Sequence, residues 1–441
     1  MADLLIVGGG LAGCEAAWRA ASEGLAVELW EMRPARQTPA HQSDQLAELV
    51  CSNSLRAAKV DSAVGLLKAE MAGLGSIVIQ AAARTRVPAG GAWAVDRTEF
   101  AGLITAWIRR HPAIQVITRE AERVPEARPL ILATGPLTAD ALASDLARLT
   151  GRDRLFFYDA IAPIIDAESI DRSVAFSASR YEDGPGDYLN LPLSEDQYNA
   201  FYEALLKADT LRARDFESTK HFEGCLPIEV MARRGRQTLA FGPMKPVGLI
   251  DPRTGKRPFA VVQLRREDAG GTAYNLVGFQ TRLTHAAQLQ VFRLIPGLEK
   301  AEFLRLGSIH RNTFLEAPAL LTPTLELTGD PGLYVAGQLS GVEGYVESAA
   351  MGILAGLNAA RRIREKPAVI PPPTTALGAL ITHLTTPAKN FQPSNVNFGL
   401  FPPLEKKTPK KLRGQAYADR ARQDMAVWMT ENGLQPAAPA E

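Results

Sequence analysis

The opening run DLLIVGGGLAGCEAAWRAASEGLAVELWEMRP constrains this chain more than any other segment. Leu4 to Val7 is a short apolar run bounded by glycine, the pattern of a strand buried on both faces of a parallel sheet. Gly8, Gly10 and Gly13 then fill the three places of G-x-G-x-x-G. An Ala-rich helix is predicted from about Ala12 to Ser22 with Gly24 closing it, and Ala26 to Trp30 reads as the next strand, ending at Glu31. Such a βαβ unit commits the chain to an α/β fold. The first glycine permits the tight turn, the second lets the backbone approach a pyrophosphate, and the third lets helix and strand pack closely. Gly9, Leu11 and Ala12 complete the turn, where the helix start offers unpaired N–H groups to phosphate. Glu31, 18 positions after Gly13, stands where an acid accepts the hydroxyls of an adenosine ribose. A dinucleotide site is predicted.

The same grammar recurs at a distance. IQVIT (114–118) and PLILATG (129–135) read as further sheet strands, and GLYVAG (332–337) runs into a helix AAMGILAGLNAARRI. Between about 155 and 305 aromatic strands and Pro/Gly turns replace it, so a dinucleotide domain made of 1–155 and 306–441, interrupted by an inserted α+β domain at 156–305, is the simplest topology. Residues 41–100 read as mainly helix and loop, with the break VPAGGAW before a helix from Arg97 to Arg109. PPP at 371–373 reads as a linker or stiff excursion, a basic helix follows at about 410–430, and PAAPAE reads as a frayed tail.

Composition narrows the class. A chain of 441 residues exceeds what one core sustains. Three cysteines, Cys14, Cys51 and Cys225, without a C-x-x-C pair or a nearby His, argue against a disulfide scaffold and against a metal site, and fit a reducing cytoplasm. No apolar stretch of membrane-spanning length is present and no basic leader precedes Leu4, so no membrane role is expected. A net charge of +1 hides clustering: Arg233 to Arg266 holds nine Lys/Arg and one acid (+8), Glu405 to Arg422 seven and two (+5), leaving −12 on the rest. Each cluster is either a solvated face or a phosphate-binding patch; Arg233, Arg234, Arg236, Lys410 and Lys411 are the RNA-binding candidates. Phe259, Tyr274 and Phe279, interleaved with the first cluster, are either core or stacking platforms.

GLYVAGQLSGVEGYVESAAMGILAGLNAA resembles the second flavin-contacting motif of FAD-binding Rossmann-type (glutathione-reductase-like) proteins, with Gly337, Gln338, Gly344 and Tyr345 at the flavin, and ATG (Ala133, Thr134, Gly135) resembles the motif on the adenosine side. A helix start aimed at the ring suits a reduced flavin, which is anionic. With GGGLAGCEAAW, ELVCSNSLR, GCLPIEVMARRGRQTLAFGPMKPVGL and NLVGFQTRLTHAAQ, the chain resembles, over nearly its whole length, the bacterial folate-dependent tRNA uracil-5-methyltransferases, TrmFO; the wobble-uridine flavoproteins, MnmG, share its architecture. The resemblance implies transfer of carbon from 5,10-methylenetetrahydrofolate to the T-loop uridine of tRNA, with reduced FAD as hydride donor, NADH or NADPH as reductant and no obligatory protein partner. Cys225, beside Arg233, Arg234 and Arg236, matches the nucleophile that adds to uracil carbon 6; Cys51 matches a second essential thiol, either a base or an assistant in carbon transfer. His285 matches a residue near the folate, with Arg282 as a partner for the folate glutamate. Cys14 reads as structural. The rival readings are wobble-uridine modification, a small-molecule flavin oxidoreductase, and a tRNA-binding factor without catalysis.

Overall fold

The computed structural model describes residues 2–38, 40–152, 155–180, 186–211, 226–389 and 391–440. Five parallel strands form the first sheet, in the order Leu333–Val335, Leu130–Leu132, Leu4–Val7 (β1), Val27–Glu31 (β2) and Ile114–Thr118. Leu4, Ile6 and Leu130 to Leu132 are shut away from water, as uninterrupted apolar strands between helices must be. The helix Leu11–Ser22 (α1) starts directly on the glycine turn. It ends as Gly24, at φ +82°, brings the N–H groups of Gly24 and Leu25 back to the carbonyls of Ala21 and Ala20.

The 19-residue helix Tyr345–Ile363 lies against α1 at very close range. Gly352 and Gly356, one turn apart, make this possible: a Cβ on Gly356 would stand 2.6 Å from the Ala16 carbonyl oxygen, and one on Gly352 would strike the Ala12 backbone. The two helices that begin at the two glycine motifs are therefore locked together.

A second apolar core, centred on Leu191, Tyr198, Val262, Phe279 and Phe292, is separate from the first. It belongs to a six-stranded antiparallel sheet in the order Phe176–Ser177, Leu189–Leu193, Ala260–Arg266, Ala273–Leu276, Ile164–Asp166, Phe303–Arg305. The helix Glu195–Lys207 on this sheet opens with a reciprocal cap between Ser194 and Gln197. Antiparallel pairing of Leu155–Ala160 with Ile309–Phe314 forms the ribbon by which the chain passes between the two bodies. Tyr274 and Phe279 are buried in the second core and Phe259 packs on Tyr198 at 5.1 Å, so these aromatics are core and not stacking platforms.

Three readings of the sequence are corrected. Residues 41–100 contain a three-stranded sheet, Ser54–Ala57, Arg86–Val87 and Ala92–Val95, whose strands are too short and too Ala- and Ser-rich to announce themselves. The prolines at 371–373 are no linker: they lead into the buried helix Ala376–Thr385, whose first N–H groups donate to the buried Glu70 carboxylate at 2.8 and 2.9 Å. The C-terminal tail is not frayed. Ala437 pairs with Leu74, and the carbonyls of Ala438 and Ala440 accept from Trp18 and Arg84. Because its backbone finds partners, a sequence of low complexity is held in place. Among the described residues no single helix is long and apolar enough to cross a membrane.

Candidate functional site

The glycine turn opens on a cleft whose space, open solvent included, is about 1010 Å³. Gly8, at φ +106°, lies so near the neighbouring strand that a Cβ would stand 2.5 Å from the Ala133 carbonyl, and a Cβ on Gly13 would strike the Gly8 carbonyl. Only glycine fits either place. A Cβ on Gly10 would meet nothing, so the turn is bare on the side facing the cleft. Gly8, Gly9, Gly10, Leu11 and Ala12 line it, with Ala133, Thr134 and Gly135 alongside. α1 has no side-chain cap at Gly10, which leaves the N–H groups of its first turn to a ligand.

Glu31 lines the cleft and also braces the turn: one carboxylate oxygen accepts the Gly9 N–H at 2.8 Å, the other the backbone and side-chain N–H of Arg33, both at 3.0 Å. Burial pushes its pKa upward, but the Arg33 guanidinium and the Gly9 N–H outweigh it and hold the carboxyl below its ordinary range. Arg33, Thr38, His41, Glu48 and Arg119 line the same end, and the sequence offered no motif for them. Burial and the nearby Arg33 lower His41 to about 4, so its ring is neutral at pH 7.

Gly337, Gln338 and Tyr345 line a wall that adjoins the glycine turn, a Cβ on Gly337 falling 2.9 Å from the Ala12 Cβ. Gly344 does not; it turns the chain at φ +110° into the helix Tyr345–Ile363, which also starts without a side-chain cap. Two uncapped helix starts thus share one cleft, a donor arrangement that suits a pyrophosphate at one place and an anionic ring at the other. The residues fit FAD on this ground: the turn at Gly8–Ala12 for the phosphates, Glu31 for the ribose, and Gly337–Tyr345 for the ring.

Tyr345 links this wall to Cys51. Its hydroxyl oxygen accepts the N–H of Cys51 at 2.6 Å and of Ser52 at 3.1 Å, and the Cys51 sulfur lies 4.0 Å from the Ala160 carbonyl. Burial, reinforced by Cys51, raises the Tyr345 pKa, so the phenol stays protonated. Arg265, counted by the sequence in the basic surface cluster, is instead 6% exposed beneath this loop, donating to Asn53 Oδ1 at 2.9 Å and Ser52 Oγ at 2.8 Å. Arg253 pairs with Asp251. The +8 segment is therefore not one phosphate-binding face. Arg233, Arg234 and Arg236 are exposed at its start, with Arg236 paired to Glu195 at 2.8 Å, and Lys410 and Lys411 are exposed ahead of the helix Arg413–Glu431.

Cys225 lies outside the described residues. Arg282 and His285 do not line the cleft: Arg282 is bound through its N–H to the buried Glu229 at 3.0 Å, and His285 is exposed at the start of the helix His285–Phe292. Cys14 is fully buried, its thiol 3.4 Å from the Gly9 carbonyl, and burial together with Glu31 and Glu15 drives its pKa far up. It is an inert residue of α1 packed against the turn. Among the described residues no cluster of His, Cys, Asp or Glu is suited to a metal ion.

The sheet order, the two helix starts and the inserted antiparallel body define a two-domain protein of the FAD-binding Rossmann type. The profile of the family described as glucose inhibited division protein A matches residues 3–367. The protein from Geobacter sulfurreducens named methylenetetrahydrofolate–tRNA-(uracil-5-)-methyltransferase TrmFO is 58% identical over 426 residues, 96% of this chain and 98% of its own. That of Heliobacterium modesticaldum, of the same name, is 57% identical over 429 residues, 97% of this chain and 98% of its own. Aquifex aeolicus GidA superposes with a TM-score of 0.72 at 18% identity, over 98% of this chain and 76% of that one, a likeness of fold. The chain belongs to the glucose inhibited division protein A family and, within it, to the TrmFO family.

Proposed function

We propose that this protein methylates carbon 5 of the T-loop uridine in tRNA to ribothymidine, taking the carbon from 5,10-methylenetetrahydrofolate. The observation that carries the reading is identity of 55–58% over almost the full length of relatives that bear the name of this activity. FAD held in the cleft and reduced by NADH or NADPH, its expected reductant, would supply the hydride. The two separate cores support a division in which 1–155 with 306–441 holds FAD and 156–305 receives the RNA. It is a cytoplasmic reaction, since its substrates are there.

The chain's own residues have defined tasks. The bare turn at Gly8–Ala12 binds and orients the cofactor, and Tyr345 ties the loop of Cys51 to the wall where the ring would lie. Carbon 5 of uracil becomes nucleophilic only after a thiolate adds to carbon 6. Cys225 takes that role, and Cys51 serves the carbon transfer or removes the carbon 5 proton. The target base is stacked in the folded tRNA elbow, so it is splayed out to reach the thiols. Arg282 and His285 are the folate-binding candidates, and the exposed Arg233, Arg234, Arg236, Lys410 and Lys411 neutralise phosphates.

The test is to incubate the purified yellow protein with unmodified tRNA, labelled methylenetetrahydrofolate and NADPH, and to analyse nucleosides by mass spectrometry. Ribothymidine carrying the label is expected. No gain of ribothymidine would reject the reading, and a requirement for a partner GTPase would point to wobble-uridine chemistry.

A further inference from the structure

Residues 49–53 are held by polar contacts along their length. The Leu49 carbonyl accepts from Arg97 Nη1, and the Val50 carbonyl from Arg305 Nη1 at 2.9 Å. The N–H groups of Cys51 and Ser52 go to Tyr345, and Ser52 Oγ and Asn53 Oδ1 accept from Arg265. Three guanidiniums thus converge on one cysteine loop from the helix Arg97–Arg110, the strand Ala260–Arg266 and the strand Phe303–Arg305.

Their charges are not equally compensated. Arg97 is bound by the Glu267 carboxylate, at 3.0 Å from Nε and 2.6 Å from Nη2. Arg305 reaches only carbonyl oxygens, those of Val50 and of Ala40 at 3.3 Å, and no ion pair of it occurs among the described residues. Glu48, the carboxylate with the largest effect on it, is already committed to Arg33 at 3.3 Å. Burial, then Arg97, lowers the Arg305 pKa, while Cys51 raises it; Cys51 likewise raises that of Arg97. The two guanidiniums hold the carbonyls one and two residues before Cys51, which places both charges beside its loop. Arg305 is half-buried, so leaving its guanidinium without a carboxylate carries part of the desolvation cost, which an anion within its field reduces.

We propose that Arg305, with Arg97 behind it, is the positioning cation that keeps Cys51 as a thiolate, while Arg265 fixes the loop that carries it. The thiol proton goes to solvent and the sulfur becomes the counter-charge of Arg305. The facing groups among the described residues include Arg97, Arg265, Arg305, Arg33, Glu267, Glu48, His41 and Tyr345; His41 and Tyr345 are neutral, so the local balance is positive until the sulfur ionises. The proposal rests on reading Cys51 as a reacting thiol, and its test does not depend on methyl transfer.

The flavin-loaded full-length protein is treated with iodoacetamide between pH 5.5 and 9.5, and alkylation of the Cys51 peptide is followed by mass spectrometry. In the wild type the rate reaches half its plateau at a pH about one unit below the ordinary thiol value of about 8.5. Arg305→Gln moves that midpoint up by about one unit and slows alkylation at pH 7 roughly tenfold, and Arg305→Lys restores most of the loss. Arg265→Gln changes the plateau rate and moves the midpoint by clearly less than Arg305→Gln does. A wild-type midpoint at or above the ordinary value, or an Arg305→Gln profile superimposable on the wild type, would overturn the proposal. So would a Lys variant as impaired as the Gln variant with an unchanged flavin spectrum and melting temperature, or a midpoint shift in Arg265→Gln equal to that in Arg305→Gln. Failure of the methylation reading would appear separately, as no ribothymidine with the alkylation profile intact.

Discussion

Replacing Gly356 by alanine tests whether the two glycine motifs act as one device. The new Cβ would stand 2.6 Å from the Ala16 carbonyl oxygen and 2.9 Å from the Ala16 Cα, against the 3.4 Å at which ordinary contact begins. Relief requires the helix Tyr345–Ile363 to move away from α1 by about 0.8 Å, the difference between those distances, because both overlapping atoms are backbone and neither can rotate aside. Overpacking of this kind costs about 1–3 kcal/mol. Alanine gains about 1 kcal/mol of helix propensity over glycine. With rigid backbone on both sides the upper end of the overpacking range applies, so the clash wins by about 2 kcal/mol and the melting temperature of so long a chain falls by about 2 °C. The helix starts at Leu11 and Tyr345 then no longer face the cleft at one fixed separation, and FAD affinity drops on the order of tenfold. Gly73→Ala is the matched control: it too is a helical glycine, but a Cβ there meets nothing within 4 Å, so stability is unchanged or rises by about 0.4–1 kcal/mol. Differential scanning calorimetry of the apoprotein and titration of flavin fluorescence give both quantities. Equal melting temperatures for the two variants would refute the claim that these helices meet backbone to backbone.

Other outcomes follow from single sites. Burial raises Glu70 to about 8, its bonds to Ala376 and Leu377 only partly opposing this; a carboxyl whose folded pKa lies above its unfolded one contributes stability that is full below about pH 4.5 and declines as pH rises toward 8. Glu70→Gln should flatten the melting temperature between those limits, and an unchanged slope would refute the assignment. RNA in which 5-fluorouridine replaces the target should crosslink to the wild type and not to Cys225→Ala; equal crosslinking would remove Cys225 from the nucleophile role. Neutralising Lys410 and Lys411 together should weaken tRNA binding and reduce the slope of log affinity against log salt by about two, roughly one for each phosphate contact. A slope unchanged within error would show that these exposed lysines do not face RNA.

The sequence by itself determined the βαβ unit. Gly8, Gly10 and Gly13 sit between an apolar run and an Ala-rich one, the order that a strand, a tight turn and a helix require. It also pointed to an inserted body, because period and composition change in mid-chain, and it carried the family in blocks spread over nearly the whole chain. The short strands around 54–95 and the packed tail escaped it, since two to four residues of Ala, Ser or Arg have no periodicity and a tail's order depends on partners elsewhere. The tertiary structure alone decided which charges serve the site. Charge counted along the chain placed Arg265 in a surface cluster, while folding buries it under Ser52 and Asn53 and brings Arg97 and Arg305 to the same loop from segments about 200 residues apart. Net charge is additive along a sequence, but the field at one sulfur depends on distance and burial, which only the packed molecule sets.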